Sequence, residues 1–155
     1  MLLNHGADAN AQMVAGWTPL HFATWNKHLK IVQMLLGHNA DIHARNGCGD
    51  VALHLAACHY ETDHQINVLQ LLLDHGADVN ARDNKGSIPL HHSSYRRWDG
   101  GFEGKGSVED TRLLLDHGAN IDAEYNKGET AFQVAMEEGR HEIVEFLWGL
   151  GIEYP

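Results

Sequence analysis

Histidine is the residue type in this chain whose side chain could perform the widest range of chemistry. The sequence has 13 histidines among its 155 residues. Imidazole binds metal ions and transfers protons near neutral pH. His54 and Cys58 are four residues apart, a spacing that could place two metal ligands on one helix face. Two ligands do not make a site, and a packed pair is the simpler interpretation. We therefore predict no metal ligands and no cofactor.

Most of the histidines recur at fixed positions along the chain. One position holds His5, His38, His75 and His117, and a second holds His21, His54 and His91. Regular recurrence is typical of a structural role. Outside these sets stand His28 and five others, namely His43, His59, His64, His92 and His141.

The sequence contains no catalytic motif. GGFEGKGS, residues 100–107, is similar to a phosphate-binding loop, but only three residues separate Gly100 from Gly104 where that loop has four. Lys105 is followed by glycine instead of Ser or Thr, and no apolar strand precedes it. Gly-x-Ser-x-Gly, Cys-x-x-Cys and His-Glu-x-x-His are also absent from the sequence. We predict a protein that is not an enzyme and has no small-molecule substrate.

Composition narrows the class of partner. With 11 basic and 21 acidic residues the net charge is −10, which disfavours nucleic acid and anionic membranes as partners. Two cysteines do not form a disulfide framework, so we expect a reduced intracellular location, cytoplasmic or nuclear. No apolar run is long enough for a membrane span.

The elements that position these residues form a repeat. Ala7-Asp8 recurs as Ala40-Asp41, Ala77-Asp78 and, with asparagine in place of aspartate, Ala119-Asn120, in steps of 33, 37 and 42 residues. A glycine always follows nine residues after the alanine, as in Ala7 to Gly16 and Ala77 to Gly86. The variation in step length therefore lies in the other half of each unit.

Each unit is predicted to contain a glycine-rich turn, a short alanine-rich helix and a second, amphipathic helix. Proline follows the turn at Pro19 and Pro89, where the first turn of a helix tolerates it. The second helix has apolar residues three and four apart, and its buried stripe aligns Leu35, Leu72, Leu114 and Leu147. One unit cannot bury such a stripe alone, so we expect stability to come from stacked units.

The TPLH motif at residues 18–21 and GADVNA at 76–81, in units of about 33 residues, resemble the ankyrin repeat family. The resemblance implies an all-α solenoid of stacked helix-turn-helix units with β-turn fingers. It also assigns His28 to the scaffold. In the family the Thr and His of TPLH hold the finger, so Val51 and Ile88, which lack the hydroxyl, predict looser fingers in the middle units.

The whole chain, 1–155, is predicted to be a single repeat domain. It divides into a partial repeat at 1–12, a repeat at 13–45, one at 46–82 with a short insertion, one at 83–124 with a long insertion, and a terminal repeat at 125–155. We expect the partial repeat to be the remainder of a longer array.

The resemblance implies a non-catalytic protein-protein interaction module. Partners of such arrays sit on the concave face, formed by the finger tips and the first helices. On this sequence those positions are Trp17, Trp25, Asn26, Arg45, Asp50, His59, Arg82, Lys85, Tyr95, Arg96, Glu124, Lys127 and Glu129. From Glu124 onward the chain has seven glutamates against Lys127 and Arg140, so we expect a protein or extended peptide with a basic segment.

Three alternatives remain open. The chain could be an architectural spacer within a longer ankyrin solenoid. It could instead be a substrate for asparagine hydroxylation, which the resemblance places at Asn80 and, less well, at Asn10. The insertion between Tyr95 and Ser107 could contact a partner or be a tolerated surface loop, since lengthening a loop costs little closure entropy.

Overall fold

The structure is a computed structural model that describes residues 7–58, 66–95 and 107–152. Eight α-helices lie in these ranges, preceded by a short 3-10 turn at Val14–Gly16. The helices are α1 Pro19–Trp25, α2 Leu29–Gly37, α3 Ala52–Ala57, α4 Ile66–Asp74, α5 Pro89–Ser94, α6 Val108–Asp116, α7 Ala131–Glu137 and α8 His141–Gly149. The two insertions of the middle units fall mostly outside the described ranges.

The helices form two parallel rows. The short first helices α1, α3, α5 and α7 each pack against the next in their row, as do the longer second helices α2, α4, α6 and α8. Each first helix also packs against the second helix that follows it. The described β structure is one isolated bridge between Glu124 and Thr130. The result is the all-α stack of helix pairs that the sequence predicted.

The core lies between the two rows. The four leucines that align in the sequence are 0–3% exposed. One buried cluster runs from Ala9 to Ala131, and a smaller one in the last helix pair consists of Phe132, Ala135, Ile143 and Leu147. Among the described helices, none is long and apolar enough to cross a membrane.

Histidines of the TPLH position connect consecutive units. The backbone N–H of Val51 donates to His54 Nδ1 at 3.2 Å, and His54 Nε2 donates to the carbonyl of Ser87 in the next finger at 3.1 Å. His21 and His91 make the same pair of bonds, to the carbonyls of Asp50 and Glu129. Each ring therefore accepts a hydrogen bond from a free backbone N–H at the N-terminus of its own helix and also holds the finger of the next unit in place.

The middle helices keep the cap geometry without a hydroxyl. Val51 and Ile88 have ψ angles of 167° and 166°, against 165° at Thr18, whose side chain accepts from His21 N. The cap conformation is thus the same in the middle units, and the histidine ring holds it.

The second helices end in a shared way. His38, His75 and His117 each donate from Nδ1 to the carbonyl four residues earlier, at 2.8 Å. The next residue has a positive φ, 58° at Asn39 and above 80° at Gly76 and Gly118. Glycine and asparagine tolerate this left-handed conformation best, which explains the exchange between them. The structure therefore confirms a scaffold role for these three histidines.

Candidate partner-binding face

We define the inner face as the surface built from the fingers and the first helices α1, α3, α5 and α7. Two repeat positions on it differ sharply between units. One directly precedes the N-cap of the first helix, and the other lies at that helix's end. From the first unit to the last they hold Trp17 and Trp25, Asp50 and Cys58, Ser87 and Tyr95, and Glu129 and Glu137.

The first unit presents an aromatic cluster. The Trp17 ring lies 4.9 Å from that of Phe22 and 6.3 Å from that of Trp25, the latter edge-on. Both tryptophans are half-buried, whereas Phe22 is 40% exposed and Val14, in the adjacent finger, is 91% exposed. The two tryptophans predicted as partner contacts therefore come together, with apolar surface beside them.

Asp50 is buried, which corrects its predicted place on the exposed face. Its side chain is 1% exposed, and its Oδ2 lies 3.4 Å from Asn46 Nδ2. Burial raises the pKa of its carboxyl. Its neighbour in the next unit is His92, whose Nε2 lies 3.9 Å from Asp50 Oδ1 and whose charge opposes this rise in the pKa. Asp50 belongs to a buried polar cluster and is not available to a partner.

His92 is the centre of that cluster. Its Nε2 donates to Asp83 Oδ2 at 3.0 Å and its Nδ1 to Cys58 Sγ at 3.3 Å. Burial alone would lower the pKa of His92, but Cys58, Asp83 and Asp50 outweigh burial and raise the pKa to about 10. In the imidazolium form both ring nitrogens carry a proton, so each can donate to its partner. We define the middle cluster as Asp50, Cys58, Asp83 and His92.

His54 and Cys58, which the sequence predicts as a packed pair, both contact His92 of the next unit. Cys58 directs its sulfur to His92, and the His54 ring packs edge-on against that of His92 at 4.8 Å. Burial, with the nearby charge of His92, lowers the pKa of His54 to about 3. His54 is therefore a neutral scaffold residue at physiological pH.

Tyrosines connect the middle cluster to the last unit. The half-buried Tyr95 ring lies 6.1 Å from His92 and 6.4 Å from Tyr125. Tyr125 donates to Glu129 Oε2, and the Lys127 ammonium lies 5.9 Å from the Tyr125 ring centre. Burial raises the pKa of Tyr125, and the contact with Glu129 adds to the effect. Three predicted residues, Tyr95, Lys127 and Glu129, are thus assembled around one buried phenol.

Two of the predicted arginines, Arg45 and Arg82, are exposed but are already hydrogen-bonded to backbone. Arg45 donates to the carbonyl of Arg82, and Arg82 donates to the carbonyls of Gly86 and Glu124, both at 2.8 Å. These bonds link each finger to the next. Asn26 likewise donates to the carbonyl of Phe22 at 2.8 Å.

The remaining predicted residues divide into two groups. Lys85 and Glu124 are exposed on the fingers. Asn84 precedes Lys85 in the chain, and its backbone N–H donates to the carbonyl of Cys48 at 3.0 Å. His59 and Arg96 lie outside the described residues, as does most of the insertion between Tyr95 and Ser107.

The candidate hydroxylation site, Asn80, has both ends of its amide occupied. Its Nδ2 donates to the carbonyl of Gly118 at 3.0 Å, and its Oδ1 accepts from Asn120 N at 2.7 Å. Asn10 makes the same two bonds to the next unit, with Asn39 and Asp41. An enzyme would have to open these bonds to reach either side chain.

Sequence reasoning missed Phe22, Asp83 and His92 as residues of this face. Their signal was in the repeat itself. His92 stands where the other units have Phe22, Leu55 and Val134, and Asp83 stands where they have Met13, Asn46 and Tyr125. A histidine at a repeat position that is otherwise apolar could have identified this site from the sequence alone.

Family comparisons agree with this architecture. A model described as ankyrin repeats in many copies matches residues 2–56, and a model of the ankyrin repeat matches residues 48–84. Together the matches cover residues 2–84, and the helix pairs α5–α6 and α7–α8 continue the stack beyond them. A search of individual curated proteins gave no significant match.

The chain belongs to the ankyrin repeat family. Ankyrin repeats are generally non-catalytic modules for protein-protein interaction.

Proposed function

We propose that this chain binds an extended peptide or protein segment on its inner face, with an aromatic or apolar anchor at the first unit and basic residues toward the last. The observation that carries the proposal is the change of chemistry at equivalent repeat positions. Trp17 and Trp25 occupy the positions that Glu129 and Glu137 occupy in the last unit.

The aromatic end supplies the anchor. Trp17, Phe22 and Trp25 form one cluster beside the exposed Met13 and Val14. Tryptophan is enriched among the residues that dominate binding energy, because it buries a large rigid surface. Burying this cluster against a partner residue gives a slow dissociation rate.

The acidic end supplies steering. Glu124 and Glu137 are exposed, and they lie on the finger and first helix of the last unit. Complementary charge mainly accelerates association and selects orientation. A basic segment opposite these glutamates fixes the direction in which the partner lies along the stack.

The architectural alternative requires an inner face that binds nothing. Hydroxylation at Asn80 requires opening of the bonds between two fingers. The spacer role and the hydroxylation role are both compatible with an ankyrin array. Neither role explains why aromatic residues in the first unit and acidic residues in the last occupy the same repeat positions.

The test begins with selection of peptides from a random display library on the full chain. We expect enriched peptides to combine an aromatic or large apolar residue with lysines or arginines. The best peptide is then titrated against Trp25→Ala, with Trp148→Ala as the matched control because Trp148 is 65% exposed on the second-row helix α8. We expect a loss of about 2 kcal/mol or more for the first variant only.

The charge half of the proposal is tested by association kinetics. Glu124→Lys/Glu137→Lys should slow association at low salt, and high salt should conceal the difference. Glu109→Lys/Glu142→Lys, with the same charge change on the second-row helices α6 and α8, is the control. No enriched peptide, or equal effects in variant and control, would favour the architectural role.

A further inference from the structure

The middle cluster contains three ligand groups from two different units. Asp50 comes from the finger of the second unit, and Asp83 and His92 come from the third. One ligand atom from each residue can be chosen so that all three lie within 4.8 Å of one another. Their side chains are only 1%, 7% and 2% exposed. Such a concentration of metal-ligand chemistry is rare in a helical core, because uncompensated charge there is costly.

One of these ligand atoms is unsatisfied. Asp50 Oδ1 is buried and has no hydrogen-bond partner in the described part of the chain. The nearest cationic atom, His92 Nε2, is 3.9 Å away, which is too long for a hydrogen bond. A buried carboxylate oxygen without a partner is a strong reason to look for a bound cation.

The other two ligands are held in place from behind. Asp83 Oδ1 accepts the backbone N–H groups of Lys85 and Ser87, both at 2.8 Å, which leaves Oδ2 directed at the cluster. His92 Nδ1 donates to Cys58 Sγ at 3.3 Å, so that Nε2 is the nitrogen that faces the carboxylates. Metal-binding histidines are commonly oriented by a hydrogen bond from their other ring nitrogen.

The distances suit a small divalent ion. Ligand atoms bound to tetrahedral Zn²⁺ at about 2.0–2.1 Å are about 3.3 Å apart. Here Asp83 Oδ2 and Asp50 Oδ1 lie 3.0 Å and 3.9 Å from His92 Nε2, values on either side of that separation. Binding of one ion requires the side chains to draw together, because the three ligand atoms lie within 4.8 Å of one another before any ion is bound.

The donor set also selects the class of metal. Two carboxylates and one imidazole suit Zn²⁺ and neighbouring divalent transition metals, whereas Ca²⁺ and Mg²⁺ prefer oxygen ligands alone. We propose that Asp50, Asp83 and His92 bind one divalent transition-metal ion of the Zn²⁺ type, which joins the second and third units. The ion takes the place of the proton on His92 Nε2, so one proton is released from that nitrogen on binding.

The first experiment uses the full chain, stripped with a chelator, and Zn²⁺ alone. We expect one equivalent to bind with a clear rise in melting temperature. Asp50→Asn and Asp83→Asn, which preserve side-chain shape, should each weaken this binding at least tenfold. The control is His75→Gln/His117→Gln, which removes two exposed histidines without touching the cluster and should leave the affinity unchanged. Equal affinity in all variants, or loss only in the control, would overturn the proposal.

A second experiment does not depend on how the variants fold. Crystals of the unaltered chain grown with Zn²⁺ should show an anomalous difference peak at the zinc edge between Asp50 Oδ1, Asp83 Oδ2 and His92 Nε2. Peaks confined to exposed histidines would show that Zn²⁺ binds the surface and that the middle cluster is a proton-bridged ion pair without a metal.

Discussion

The first unit and the middle of the array place opposite chemistry at equivalent positions. Phe22 and His92 share one repeat position, and Trp17 and Asp50 share another. In the first unit these positions form an aromatic cluster that reaches the surface, with Phe22 40% exposed. In the middle they form a buried charged cluster, with His92 3% exposed and Asp50 1% exposed.

The difference between these two regions separates the features that every repeat must share from the positions at which side chains can differ. The left-handed caps and the leucine stripe are common to the described units. The TPLH histidine bonds are common to the first three units, and Gln133 takes the histidine's place in the last, so these features place the backbone. The chemistry at inner-face positions can then differ between units, because these shared features stack every unit in the same way. Apolar residues exposed there cost little in the folded chain, whereas buried charges cost much unless they are paired.

The largest expected effect is in the middle cluster. His92→Leu restores the residue type of Leu55, but it leaves Asp50 and Asp83 without their cation. We expect a loss of about 3–5 kcal/mol in urea unfolding of the metal-free chain, the cost of breaking a buried ion pair. Asp50→Ser/His92→Leu, which also copies the Ser87 position, should recover part of this loss. No recovery would mean that the charges are not coupled.

A medium effect is expected in acid. The pKa of His54 is about 3 in the folded chain, against an ordinary 6.5, because burial and the neighbouring His92 charge oppose protonation, whereas Asp83 favours it. The unfolded chain therefore binds more protons, and stability is lost as the pH falls below 6.5. Between pH 7 and pH 4 we expect the His54 ring to lower the free energy of unfolding by about 3 kcal/mol.

His54→Gln removes that proton from both states. Glutamine is the natural choice because Gln133 Oε1 accepts from Thr130 N at 2.8 Å at the same position in the last unit. We expect a shallower dependence of unfolding free energy on pH between 6.5 and 4, measured by urea titration at each pH. An unchanged slope would show that His54 titrates normally in the folded chain.

The smallest effect is expected at the aromatic end. Phe22→Leu reduces a partly exposed ring to the side chain present at Leu55, so we expect a change of less than about 1 kcal/mol in stability. The same variant should weaken binding of the selected peptide. If it destabilised the fold as much as His92→Leu does, the aromatic cluster would be core and the contrast between the two regions would fail.

The fold could be predicted from sequence because its determinants are local and repeated. The Gly and Asn caps, the proline at Pro19 and Pro89, and the leucine stripe each occupy the predicted place. The exposure of Asp50 was predicted wrongly because Asp50 packs close to His92, which is 42 residues away in the sequence. The sequence nevertheless contained a signal for this contact, since aligning the repeats shows that His92 stands at a position where the other units have an apolar residue.

The division of the core has a mechanical consequence. Phe132, Ala135, Ile143 and Leu147 form a cluster of their own, while Ala131 still belongs to the cluster that begins at Ala9. A pulling force applied at the last described residues would therefore load the smaller cluster first. The stack would yield in steps from that side, with α8 peeling away while the units that contain Leu35 and Leu72 still carry the tension.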